Sequence, residues 1–324
     1  MLRRVSADLG LDLALIALGI VLLYLGGELL VGGATALARR FGVSPLVVGL
    51  TVVAFGTSSP ELAATLVAAV RGVPEVALGN VLGSNVANLG LILGASALLH
   101  PLTAELRFLF REIPFMVLAG ALMYPLAWNG RYGRGDGVFL LALLALYLGV
   151  LLVESRRGAG RRVEAEFAEE YGPASARPPW LSVLMVAAGI ALLTGGAHVL
   201  VEGAVGVARL FGVPEKVVGI SLVALGTSLP ELAACLVAAL RKESDIVLGN
   251  LVGSNVFNVL AILGLTGLVS PLPVVLADIT TDFAVMVAFS LLLLPLLGLR
   301  KRIARGEGLL LVAGYVGYIV FLYL

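Results

Sequence analysis

Charge is scarce in this chain. Asp, Glu, Lys and Arg supply 13% of its 324 residues and hydrophobic residues 60%; a soluble chain of that length needs a far larger polar share to cover its surface. Cysteine is scarcer still. The lone Cys235 excludes an intramolecular disulfide, has no companion at metal-ligand spacing, and reads as a small apolar filler inside a helix. A net charge of +1 offers nothing to nucleic acid. No Gly-x-Ser-x-Gly elbow, His-Glu-x-x-His pair or Walker segment occurs. That argues against an intramembrane enzyme built on Ser58 or Ser228 with a glutamate base, and against an ATP-driven pump of Walker type.

What is abundant is apolar length. Runs of about 20 apolar residues, each able to cross roughly 30 Å of hydrocarbon, recur from end to end, and mean hydropathy is +1.05. A barrel would show short alternating segments instead. Ten spans are expected, at residues 12–37, 45–70, 75–99, 108–128, 137–154, 181–208, 215–240, 245–268, 279–299 and 308–324. The first is too long for a signal sequence and is taken as retained. The only long polar stretch, Glu154 to Pro179, reads as a solvated linker. With both termini outside, most of the 22 basic residues fall in cytoplasmic loops, among them Arg39, Arg40, Arg156, Arg157, Arg241, Lys242 and Arg300.

The chain repeats itself. Gly49 to Gly94 aligns without a gap on Gly219 to Gly264, at an offset of about 170 residues, with more than half of the positions identical. Phe41-Gly42-Val43 matches Phe211-Gly212-Val213, and Glu112 falls on Asp282. Five spans per copy is an odd number, so the second copy enters the membrane from the opposite side. The expected fold is an all-α polytopic membrane protein of ten transmembrane helices. It comprises a first five-helix repeat at 1–154, a cytoplasmic linker at 155–179 and a second, inverted repeat at 180–324. Inverted repeats typify secondary transporters, whose ion sites lie near the bilayer midplane.

Two pairs of stretches carry the chemistry. Gly56-Thr57-Ser58-Ser59-Pro60-Glu61 and Gly226-Thr227-Ser228-Leu229-Pro230-Glu231 each interrupt an apolar span. Proline removes a backbone donor and clashes with the carbonyl four residues earlier, so each helix should break there. Carbonyls around Ala54 to Gly56 and Ala224 to Gly226 would be freed, and a bound cation would satisfy them. At helical spacing the Thr57 and Ser58 hydroxyls would converge on Glu61. A midplane carboxylate costs several kcal/mol unless paired or protonated, and no basic residue lies near either glutamate in sequence. The second pair is Gly79-Asn80-Val81-Leu82-Gly83-Ser84-Asn85-Val86-Ala87-Asn88 and Gly249-Asn250-Leu251-Val252-Gly253-Ser254-Asn255-Val256-Phe257-Asn258. Ser84 with Asn88, and Ser254 with Asn258, share a helical face, while Asn85 and Asn255 point elsewhere and suit packing or capping. Serine, asparagine and proline are also ordinary structural devices in membrane bundles; the duplicated glutamates are not. Oxygen donors of this kind suit the hard ions Ca²⁺ and Na⁺.

Among the remaining polar residues, Glu28 and His198 occupy equivalent places, where pairing near a helix surface is expected. Arg111, Glu112, Asp278 and Asp282 read as interfacial charges, and His100, before Pro101, as a loop residue.

The paired Gly-Thr-Ser-x-Pro-Glu stretches, each followed by Gly-Asn-x-x-Gly-Ser-Asn-x-x-Asn, resemble the two α-repeats of the Ca²⁺/cation antiporter superfamily, and most of all its prokaryotic Na⁺/Ca²⁺ exchanger branch. The likeness covers essentially the whole chain. It implies Ca²⁺ ligands at Glu61 and Glu231. It implies Na⁺ sites drawing on Thr57, Ser58, Thr227, Ser228, Ser84, Ser254 and the backbone oxygens of Ala54 and Ala224, with Asn88 at the centre. It further implies spans 1 and 6 sliding as a pair to switch access, in a plasma (inner) membrane, with transported ions and no cofactor. Some members of the family carry aspartate where this chain has Asn258, so here only two carboxylates face the ions. Ca²⁺/H⁺ or K⁺-assisted exchange and a passive cation channel are the competing expectations; oligomeric state is not readable from the chain.

Overall fold

The computed structural model describes residues 2–105, 108–158, 178–211 and 224–323. It is almost entirely helical. The first repeat supplies α1 (Leu2–Phe41), α2 (Pro45–Thr57), α3 (Ser59–Val70), α4 (Pro74–Leu99), α5 (Phe108–Asn129) and α6 (Arg134–Gly158). The second supplies α7 (Pro179–Leu210), α8 (Ala224–Thr227), α9 (Leu229–Leu240), α10 (Ser244–Val269), α11 (Leu276–Arg300) and α12 (Arg305–Tyr323). Eight of the described helices are long and apolar enough to cross a membrane, nine when the bent pair α2 and α3 counts as one span. The seventh expected span, 215–240, is described only from Ala224 onward, and Gly212-Val213 and linker residues 159–177 also lie outside the described residues.

Helix boundaries follow local chemistry. Ser44 caps α2, accepting from the Val47 amide at 3.3 Å, with Pro45 in the first turn. Pro74 and Pro179 open α4 and α7 in the same way. Gly72 takes the left-handed conformation (φ +74°) just past α3, and Lys242 adopts it at the matching place past α9 (φ +63°).

Two short ribbons reveal the relation between the repeats. β1 (Leu102–Thr103) pairs antiparallel with β4 (Arg302–Ile303), and β2 (Arg131–Tyr132) with β3 (Leu272–Pro273). β1 precedes α5 and β2 follows it; β3 precedes α11 and β4 follows it. The start of α5 therefore lies beside the end of α11 and its end beside the start of α11, so these equivalent helices run in opposite directions. The repeat is inverted.

The central stretch of α10 is wholly buried, and most of α4 is buried too. The outer helices turn large apolar side chains such as Leu25, Leu118, Leu146 and Phe321 outward, with Trp128 and Trp180 exposed near span ends, as lipid and its interface require. Most buried residues form one core around α4 and α10. A second core joins α1 and α7 through Leu23, Leu30, Val186 and Leu193, and ties them to α2 through Val48 and Val53 and to α9 through Ala234. Glycine makes that pairing close. A Cβ on Gly26 would stand 2.8 Å from Leu193 N, and one on Gly189 would stand 2.6 Å from Leu30 N. Central contacts use the same device, since a Cβ on Gly253 would meet Leu50 O at 2.7 Å.

Candidate functional site

The break expected at the first proline is present. α2 and α3 meet at a 45° bend on Ser58 (φ −82°, ψ 5°), and Ser228 between α8 and α9 has nearly the same backbone (φ −92°, ψ 3°). Glu61 and Glu231 fall in the first turns of α3 and α9, where the helix dipole favours a negative group. Both are 1% exposed.

The two serine hydroxyls reach across, not along. Ser58 Oγ donates to Glu231 Oε1 at 2.9 Å, and Ser228 Oγ donates to Glu61 Oε1 at 3.1 Å. Ser84 Oγ stands 3.4 Å from Ser228 Oγ. Thr57 Oγ1 lies 3.1 Å from Val53 O and 3.2 Å from Asn250 Oδ1, and Thr227 Oγ1 lies 3.3 Å from Asn80 Oδ1. Each repeat thus orients the acid of the other.

An amide clasp closes the centre. Asn88 Nδ2 donates to Asn255 Oδ1 at 3.0 Å and Asn258 Nδ2 donates to Asn85 Oδ1 at 2.9 Å. The Nδ2 atoms of Asn85 and Asn255 turn to the sulfurs of Met286 and Met116, at 3.3 and 3.6 Å. Asn88 and Asn258 each begin a π-helical turn, Asn88–Ile92 and Asn258–Leu263; such turns recur at functional sites because they re-aim side chains within a helix. The arrangement leaves Oε2 of Glu61, Oε2 of Glu231, Oδ1 of Asn88 and Oδ1 of Asn258 buried without a hydrogen-bond partner among the described residues. Buried acceptors of this kind are costly, and these four, in two symmetric pairs, are candidates for an oxygen cage that a cation would satisfy. Ser254 Oγ, fully buried, is unpartnered as well. No group of three or more His, Cys, Asp or Glu that could hold a metal occurs among the described residues; carboxylate, amide and hydroxyl oxygens are what the site offers.

Known proteins share this architecture. The family described as "Sodium/calcium exchanger protein" matches residues 11–153 and 181–324. The chain belongs to that family. It is a multi-pass membrane transporter, not an enzyme. Putative antiporter CaxA of Alkalimonas amylolytica is 38% identical, over 94% of this chain and 96% of its own. Sodium/calcium exchanger MaX1 of Methanosarcina acetivorans is 34% identical, over 95% and 97%. Inner membrane protein YrbG of Escherichia coli is 35% identical, over 96% of both. The sodium-calcium exchanger NCX_Mj, in a structure soaked with zero Na⁺ and Ca²⁺, superposes with a TM-score of 0.83 at 32% identity, over 96% of this chain and 99% of that one.

For this member of the family, several sequence expectations change. Ser58 serves Glu231 rather than Glu61, because the bend between α2 and α3 carries the hydroxyl out of the i, i+3 geometry. Ala54 O is not freed: the break comes after Thr57, so this carbonyl still accepts from Ser58 N at 2.9 Å. The donor missing at Pro60 is the one Gly56 O would receive. Ala224 opens α8. Asn85 and Asn255, expected to point away, are the acceptors of the clasp. Glu112 is 2% exposed rather than interfacial; it bonds Tyr147 Oη at 2.8 Å and pairs with Arg111 Nε at 3.1 Å. Its counterpart Asp282 accepts from Tyr318 Oη at 2.7 Å. Glu28 pairs with Arg241 as expected of a surface group, and His198 is exposed.

Asn80 and Asn250 were not singled out from sequence. Asn80 Nδ2 holds Thr65 Oγ1 at 2.8 Å and Glu61 O at 3.2 Å; Asn250 Nδ2 holds Cys235 Sγ at 3.2 Å. Their signal was in plain view, an amide duplicated in register inside both motifs.

Proposed function

We propose that this protein is a secondary antiporter that exchanges Na⁺ for Ca²⁺ through one midplane site, exposed alternately to the two sides of the membrane. The observation that carries the reading is the set of four unpartnered oxygens on Glu61, Glu231, Asn88 and Asn258. Ca²⁺ takes six to eight oxygen ligands, and two carboxylates balance its charge. Hydroxyls of Thr57, Ser58, Thr227, Ser228, Ser84 and Ser254, with the backbone oxygen of Ala224 and the second lone pair of Ala54 O, complete the ligand set for Na⁺ in the emptied site. Two carboxylates balance two Na⁺, and a neutral Asn258 leaves any third uncompensated.

Alternation uses the inversion. The two repeats, 1–154 and 180–324 with the linker 155–179 between them, are similar units of opposed direction, so one arrangement open to the inside has a near mirror open to the outside. The α1–α7 pair, packed closely through Gly26 and Gly189, is the moving part. The termini face out and the linker faces the cytoplasm, in a plasma (inner) membrane. The deciding experiment is counter-ion dependence of radiolabelled Ca²⁺ flux in proteoliposomes. Flux should follow an imposed Na⁺ gradient and saturate. Flux driven by ΔpH alone, by K⁺ alone, or by unsaturable single-channel currents would overturn the assignment.

A further inference from the structure

A cavity of about 380 Å³ lies away from the ion site, where the end of α1 meets the start of α7 and the turn between α9 and α10. Three guanidinium side chains line it, those of Arg39, Arg40 and Arg241, against one carboxylate, Glu243. Arg241 grips Glu28 through Nε and Nη2. Its Nη1 is the atom beside Gly32, where a Cβ would stand 3.2 Å away, so the glycine keeps room for the guanidinium on the cavity side.

This chemistry selects a tetrahedral oxyanion. Guanidinium groups present planar pairs of N–H donors that match phosphate oxygens. Position selects the source. The basic last turn of α1 and the first turn of α7 mark the end of two membrane-crossing helices, the depth at which lipid headgroups sit. Pro179 and Met185 supply an apolar wall beside the charges, suited to the glycerol and upper acyl portion of a lipid rather than to a free, fully hydrated ion. We propose that this cavity binds the phosphate group of an anionic phospholipid drawn from the surrounding bilayer.

Its place in the packing adds a consequence. Arg39 and Arg40 belong to α1, Pro179 to α7, and Arg241 and Glu243 to the α9–α10 turn. A headgroup here touches all three elements and fastens them to one another.

The test is binding, independent of transport. The full chain, purified in detergent and offered phosphatidylcholine with or without phosphatidylglycerol, is followed by native mass spectrometry. Tightly retained phosphatidylglycerol is expected, with retention about tenfold weaker in Arg40→Gln and weaker still in Arg40→Glu. Arg40 is exposed, so thermal midpoints should match the wild type. Equal retention by the wild type and both variants, or no retention at all, would overturn the proposal. Calorimetric binding of inorganic phosphate without retention of phosphatidylglycerol would overturn the lipid source.

Discussion

Consider Glu231→Gln. The substitution keeps shape, and glutamine Oε1 still accepts from Ser58, so the local hydrogen bond at 2.9 Å survives. What disappears is one of two negative charges facing a desolvated cation. Removing one partner from a buried ionic pair costs about 3–5 kcal/mol, and every 1.4 kcal/mol is tenfold in affinity. Ca²⁺ affinity should therefore fall by about two to three and a half orders of magnitude. Without Ca²⁺ the sign reverses. Two like charges buried at one site repel each other when no cation lies between them, so the variant's thermal midpoint in Ca²⁺-free detergent should equal or exceed that of the wild type. Calorimetric titration with Ca²⁺ and thermal unfolding with and without the ion read the two effects separately. Glu61→Gln should behave alike, because Ser228 holds its Oε1 as Ser58 holds that of Glu231. If both variants bind Ca²⁺ within about threefold of the wild type, the acids are structural and the cage reasoning fails.

Three other outcomes are expected. Asn255→Ala strands Asn88 Nδ2, which should cost about 1–3 kcal/mol of stability and loosen the aim of Asn88 Oδ1, so unfolding and Ca²⁺ titration should both shift. Tyr147→Phe removes only the hydroxyl on Glu112, so stability should fall by about 1 kcal/mol while Ca²⁺ affinity stays put; a changed affinity would tie Glu112 to the ion site. Gly253→Ala places a Cβ 2.7 Å from Leu50 O and 2.8 Å from Ala54 Cβ, both in the packed centre, and should cost about 1–3 kcal/mol. Gly317→Ala meets nothing within 4 Å and should gain up to about 1 kcal/mol from helix propensity, a contrast that thermal unfolding in detergent checks.

Much of the architecture was legible because the bilayer constrains it severely. Span limits read from apolar length agree with the observed helices to within a few residues for α4, α5, α7, α10 and α11. The exception is α1, which runs back to Leu2; a polar first segment can continue a helix beyond the apolar stretch that revealed it. The break at the first proline, and the burial of Glu61, Glu231, Asn88 and Asn258, were legible for the same reason: backbone breaks and charges inside hydrocarbon need a partner. Spacing misled where it was used to choose partners. Counting three and four residues along a helix joined Ser58 to Glu61, but the count assumes an unbroken helix, and the proline that breaks it sits between the two.

The sequence by itself determined that the chain spans membranes, that it contains one unit twice, and which two acids sit where no charge sits idly. These are local and periodic properties, written in apolar length and in a register of about 170 residues. Only the tertiary structure decided who meets whom. Ser58 holds Glu231, Asn88 clasps Asn255, and Asn258 clasps Asn85, because opposed repeats bring equivalent motifs together across the centre. Contacts between residues so far apart in the chain depend on helix direction and packing, and no spacing along one strand of sequence encodes that choice.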